Sequence, residues 1–138
     1  MDTETILLDK GVRVVCQLSG AANAPTMVLL HALGEQATSW QDVSPRFTTS
    51  FRVVALDLRG HGASDWPGMY SFELMRDDVL GVLDHLDLRD IILIGHSMGG
   101  TVEAGQDVSW DADFPGFRRV YAHDPFGNRL EFLQPASQ

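Results

Sequence analysis

Apolar and polar positions follow two rhythms along this chain. Residues 4 to 9 (ETILLD) and 12 to 18 (VRVVCQL) are β-rich runs split by Lys10 and Gly11, which predicts a hairpin. TMVLL (26 to 30), FRVVALDL (51 to 58) and DIILIG (90 to 95) are continuous apolar runs of the kind found in strands buried on both faces of a parallel sheet. Between them the spacing becomes helical. Residues 70 to 86 (YSFELMRDDVLGVLDHL) place Phe72, Met75, Val79, Leu83 and Leu86 three or four apart. Glu73, Arg76, Asp77 and Asp84 fall on other faces, and Asp77 and Asp78 read as a solvated helix surface. Residues 38 to 49 (TSWQDVSPRFTT) open on a capping Thr38 or Ser39 and carry Trp40, Val43 and Phe47 at helical spacing, with Pro45 limiting the helix. HALGEQA and RGHGASDWPG are loops, rich in glycine and polar residues.

Strand, helix, strand, helix, strand, helix is the order of an α/β protein built on a parallel sheet. After about Glu103 the order changes. GQDVSWDADFPG is polar and aromatic, and RRVYAHDPFGNRLEFLQP reads as two short strands around the turn DPFGN. The expected domains are therefore residues 1 to 103, and a junction with a β-hairpin tail over 104 to 138.

Composition narrows the function classes. Nineteen acidic against ten basic residues give a formal charge of −9, which disfavours nucleic acid and anionic membrane surfaces as partners. The single cysteine, Cys16, excludes an internal disulfide and a cysteine-based zinc site. It is expected as a small buried residue of a strand. The opening MDTETILLDK lacks the basic and apolar regions of a signal peptide, and the expected setting is a reducing cytoplasm.

The chemistry-bearing stretch is GHSMG (95 to 99), which fits G-x-S-x-G with an apolar strand before it and a helix start after it. Such a turn lifts the serine hydroxyl out of the sheet. Gly95 and Gly99 let neighbouring backbone come close, and the Met98 N–H stands at a helix N-terminus where a developing oxyanion is favoured. HALGEQATSW (31 to 40), DLRGHGASD (57 to 65), the helix over 70 to 86 and IGHSMGG (94 to 100) together resemble the α/β-hydrolase family in order and spacing, from residue 1 to about 103. The resemblance implies Ser97 as nucleophile, with the backbone N–H groups of Leu33 and Met98 as the oxyanion hole. It also sets the chain apart from family members with an aspartate nucleophile, such as haloalkane dehalogenases and epoxide hydrolases. Ala32 stands where the family usually has glycine. His31, His61 and His96 follow the hydrolase motifs as loop-organising residues and not a metal-ligand spacing. Asp57 and Asp65 read as loop hydrogen-bonding residues. No cofactor is implied, and the expected partner is a small acyl substrate, an ester or a lactone.

A serine needs a base and an acid to orient that base, and in this family they follow it in the order Ser, Asp or Glu, His. Eight strands, six helices and their connections need about 180 residues, so the triad acid and histidine are expected to be missing. FPGFRRVYAHDPFGNRLEFLQP (114 to 135) resembles instead the end of a vicinal oxygen chelate domain of the glyoxalase and bleomycin-resistance family, whose metal-ligand glutamate maps onto Glu131. Without that family's histidines and other modules, Glu131 is expected to be a strand residue holding no metal. Two alternatives to an active hydrolase follow. One is an inactive truncated or chimeric product that self-associates through an unfinished sheet edge; the other is a ligand or metal binder of the oxygen chelate type. A substitute base is also open to the chain. If RRVYA returned as the next parallel strand, His123 would emerge on the Ser97 edge, with Asp107, Asp111, Asp113 or Asp124 to orient it.

Overall fold

A computed structural model describes residues 1–96 throughout, together with the backbone of two later strands, Phe117–His123 and Arg129–Pro135. Strands β1 (Asp2–Leu7) and β2 (Arg13–Ser19) form the expected antiparallel hairpin, with Ile6 opposite Val14. β3 (Thr26–Leu30), β4 (Arg52–Leu56) and β5 (Ile92–His96) are the three apolar runs. β3 pairs in parallel with both β4 and β5. With β6 (Phe117–His123) and β7 (Arg129–Pro135) the sheet order is β1-β2-β4-β3-β5-β7-β6.

The period of two along a strand explains why these runs are apolar at every position. On one face Val28, Leu30, Val54, Leu56 and Leu93 pack with Ile6, Val14 and Cys16 beneath helix α1 (Phe72–His85). On the other face Met27, Leu29, Val53, Ala55 and Ile94 pack under Ala37, Trp40, Phe47 and Phe51. Cys16 is fully buried as expected, and burial among apolar side chains pushes its thiol up to about 12, so it is an inert core residue.

Helix α1 carries its own start and stop signals. Ser71 caps it by accepting the Leu74 N–H at 3.1 Å. At the other end Asp87 takes φ 51°, and the Leu88 N–H bonds the Leu83 carbonyl while the Asp87 N–H bonds that of Asp84. This pair of bonds is a Schellman motif with aspartate where glycine is usual.

Three expectations need correction. The helix expected over 38 to 49 is two separate 3₁₀ turns, Ala37–Trp40 and Ser44–Arg46. Pro45 supplies no N–H and disfavours the α conformation at Ser44, so the segment cannot continue as one helix. Asp78 is not on a solvated face: it is 5% exposed, and only Asp77 is open to water. Finally, RRVYA is not the strand beside β5. β7 pairs with β5 antiparallel, Gly95 opposite Glu131 and His96 opposite Leu130, and β6 lies beyond it. Adjacent antiparallel strands offer only one of the pair to a given edge, and here the later strand takes it. The β5 side of the sheet is thus occupied, and among the described strands β1 and β6 are the outer ones.

Candidate active site

Parallel strands deliver their following loops to one edge of a sheet, the carboxyl edge, where α/β proteins place their chemistry. β3 leads there into His31 to Gln36, β4 into Asp57 to Tyr70, and β5 into Ser97. Ser97 and Met98 lie outside the described residues. Their immediate predecessor His96 is the last residue of β5. Leu30 is opposite Gly95, so β3 and β5 end side by side at this edge.

The turn after β3 is closed by the Glu35 N–H bonding the Ala32 carbonyl at 3.1 Å. Gly34, at φ 77°, occupies its third position, which type II turns reserve for glycine. Leu33 stands out at the rim, 74% exposed, and among the described residues no acceptor takes its N–H. His31 holds the base of this turn. Its Nδ1–H donates to the Ala32 carbonyl at 2.8 Å, and its Nε2 accepts the Leu58 N–H at 3.0 Å. Both bonds together require the neutral Nδ1–H tautomer. Burial holds the ring below the usual histidine range, in keeping with that tautomer, and the neighbouring His61 ring, 4.8 Å away, acts in the same direction.

The loop after β4 is stitched by buried polar groups. Asp57 accepts the Ala37 N–H at 2.7 Å on one oxygen and the Ala63 N–H at 3.0 Å on the other. It thereby joins the first 3₁₀ turn to its own loop. A Cβ at Gly62 would fall 2.4 Å from the Asp57 carboxylate, and Gly62 also has φ 52°, so the position requires glycine twice over. Ser64 donates to the Asp57 carbonyl and accepts the Val15 N–H. Arg59, 3% exposed, makes a bidentate pair with Asp78 of α1 and donates to the Met69 carbonyl at 3.0 Å. The charge-assisted bonds to Asp78 hold its guanidinium above the usual arginine range. His61 donates from Nδ1 to the Arg59 carbonyl at 3.0 Å. At the exposed rim Arg13 bonds Asp65 through its backbone N–H and its guanidinium, and these hold the Asp65 carboxyl below its usual range.

The residues expected as loop organisers, His31, His61, Asp57 and Asp65, thus do organise loops. His96 differs in facing two groups of the turn segment. Its Nδ1 is 3.8 Å from a Glu35 carboxylate oxygen, and its ring meets Trp40 edge-on at 6.4 Å. Among the described residues no group of three or more His, Cys, Asp or Glu is placed to hold a metal ion. No helix among them is long and apolar enough to cross a membrane. Glu131 lies on β7, and His123 ends β6, two strands from β5.

Sequence reasoning passed over Arg59, Ser64 and Glu35, and read Asp78 as solvated. For Asp78 a signal existed, since it lies three residues after Met75 and four before Val82, both buried, and so sits in the apolar stripe.

The model of the alpha/beta hydrolase fold family matches residues 25–103, and the chain belongs to that family. Epoxide hydrolase 4 of Mus musculus is 38% identical over 97 residues, which is 68% of this chain and 27% of that protein. A crystal structure of a hydrolase from Pseudomonas aeruginosa PA01 superposes with a TM-score of 0.70 at 35% identity, over 75% of this chain and 39% of that one. The enol-lactonase from Burkholderia xenovorans LB400 gives 0.69 at 33%, over 73% and 40%. The matched part of the chain thus spans about a quarter to two fifths of the length of these relatives.

Proposed function

We propose that the chain carries the nucleophile and oxyanion half of a serine hydrolase site, which accepts a small ester, lactone or similar acyl group on Ser97. One observation supports this reading: Leu30 is opposite Gly95, so β3, which leads to the Leu33 N–H left free among the described residues, and β5, which the sequence continues into the serine of GHSMG, end side by side. In the reaction the Ser97 hydroxyl oxygen attacks the acyl carbonyl carbon, and the Leu33 and Met98 N–H groups receive the negative charge on its oxygen. The leaving alkoxide departs as an alcohol with the serine proton. Release of the acid by water, which would restore Ser97, needs a base to take the water's proton and is the slow step.

The family's acid and histidine follow the nucleophile in chain order, and neither lies within the matched residues 25–103. An oxyanion hole with an incomplete triad still gives roughly 10³–10⁴-fold over water. Slow, stoichiometric acylation is therefore the expected behaviour. Similarity to an enol-lactonase favours an acyl substrate. Similarity to epoxide hydrolase 4 stops short of the reacting group, because position 97 offers a hydroxyl and not the carboxylate that the family resemblance assigns to epoxide-opening members.

The test is p-nitrophenyl acetate and a fluorophosphonate probe on wild type and Ser97→Ala. We expect one acyl or phosphonyl group per chain, attached at Ser97 and absent from the variant, with styrene oxide left unconsumed. A folded wild-type sample that takes neither label would overturn the reading.

A further inference from the structure

The turn bearing Leu33 is tied firmly on one side. His31 bonds the Ala32 carbonyl and the Leu58 N–H, and Asp57 bonds the Ala37 N–H, all of which link it to β4 and its loop. Toward β5, the strand that leads in sequence into Ser97, β3 is paired as far as Leu30 opposite Gly95 and Trp40 packs beside Ile94, and beyond that ladder the polar side-chain contact is that of His96. The Glu35 carboxylate faces its Nδ1 at 3.8 Å, and the Trp40 ring closes its other flank at 6.4 Å and 75°. Trp40 packs on the core beside Ile94, and its buried Nε1–H has no hydrogen-bond partner among the described residues. The indole is therefore held by packing, as a wall, and the adjustable contact is the carboxylate.

We propose that Glu35 and His96 are positioning residues whose contact sets the gap between the Leu33 N–H and Ser97. This rests on the serine hydrolase reading above. Glu35 is the closing residue of the turn that presents Leu33, and His96 is the residue before Ser97, so a shift in either moves one reacting group against the other. The magnitudes separate this role from a structural one. The two side chains are 42% and 24% exposed, and a contact between groups that open to water adds little to stability. A displacement on the order of 1 Å at the reacting atoms, by contrast, can cost about 10²-fold in rate.

The experiment compares wild type, Glu35→Gln, His96→Gln and the double variant. Fluorophosphonate labelling separates the maximal rate from the concentration dependence, and thermal unfolding is followed in parallel. Each single substitution is expected to lower the maximal labelling rate about tenfold with the concentration dependence and Tm unchanged, and the double variant to fall no further than the singles. Rates that multiply in the double variant, an unchanged rate, or a loss matched by a fall in Tm would each overturn the proposal. If wild type takes no label at Ser97, the hydrolase reading fails, and hydrogen exchange at the Glu35 amide then judges the contact by itself. Faster exchange, equal in the singles and the double, supports a tie between turn and strand, and unchanged exchange refutes it.

Discussion

The two flanks of the turn after β3 are built to different standards. Toward β4 the ties are buried hydrogen bonds, His31 to Ala32 and Leu58 and Asp57 to Ala37, and the β4 loop is itself held to α1 by the buried Arg59–Asp78 ion pair. Toward β5 the tie is a half-exposed contact of 3.8 Å against an aromatic wall. A buried polar group must be paired because leaving it unpaired is costly, so the β4 flank holds its shape whatever chemistry is done beside it. The β5 flank has no such obligation. The β3–β5 ladder fixes the base of the turn against the nucleophile strand, while beyond the ladder the side-chain contact on that flank is a weak one.

The largest break in this contrast is expected on the β4 flank. Asp78→Ala leaves the Arg59 guanidinium charged and buried without its partner, which costs about 3–5 kcal/mol. Urea unfolding should show the loss as a lower midpoint at constant slope. The double variant Arg59→Met/Asp78→Leu should regain most of it, because an apolar pair of similar volume often matches a buried ion pair. The Met69 carbonyl then loses its donor, so the recovery is expected to be incomplete. If the double variant is as unstable as Asp78→Ala, the cost is one of packing and not of charge. Gly62→Ala should follow at about 1–3 kcal/mol, since alanine is strained at φ 52° and its Cβ displaces the Asp57 carboxylate from its two N–H donors.

Much of this was legible in the chain, and what was not has a common cause. TMVLL and its two counterparts announced strands covered on both faces, because a period of two is invisible when both faces are buried. HALGEQ, DLRGHGASD and GHSMG announced the rim, because turn chemistry is local. Asp78 was misread because its partner Arg59 is nineteen positions away: its place in the apolar stripe marks it as inward-facing, but nothing local names the buried cation it meets. Glu35 and His96 were separated in the same way, by the whole of β4 and α1. The place of the tail strands was open for a related reason: local pattern shows two strands and a turn, while which of the pair meets β5 is a choice between distant partners.

His31 gives a smaller effect with a definite sign. Its ring lies below the usual 6.5 when folded, so over the interval beneath 6.5 the unfolded chain binds the proton and the folded one does not. Stability from this residue is complete above that value and declines as pH falls through the interval, by at most about 1.4 kcal/mol per pH unit for one proton. Protonation also removes the acceptor for the Leu58 N–H. Melting curves from pH 7 toward pH 5 should show the decline, and His31→Asn should flatten it at a lower absolute stability. An unchanged slope in the variant would assign the acid sensitivity to another group.

The smallest effect is expected from His123, and it tests the β5 flank from its far side. β6 runs in the same direction as β5, because both are antiparallel to β7, and His123 follows Ala122, which shares a row with Leu130 and His96. The chain order thus brings a histidine to the edge where Ser97 follows His96. Two strand spacings, about 9.6 Å, separate the rows, whereas a base must come within about 2.6–3.2 Å of the oxygen whose proton it takes. His123→Ala is accordingly expected to change the labelling rate at Ser97 by less than about twofold, and the pH profile of labelling should keep its shape. A loss approaching the 10²–10⁴-fold contributed by a general base, restored by added imidazole, would mean that the tail supplies the base. The weakly tied flank would then be the one that completes the site.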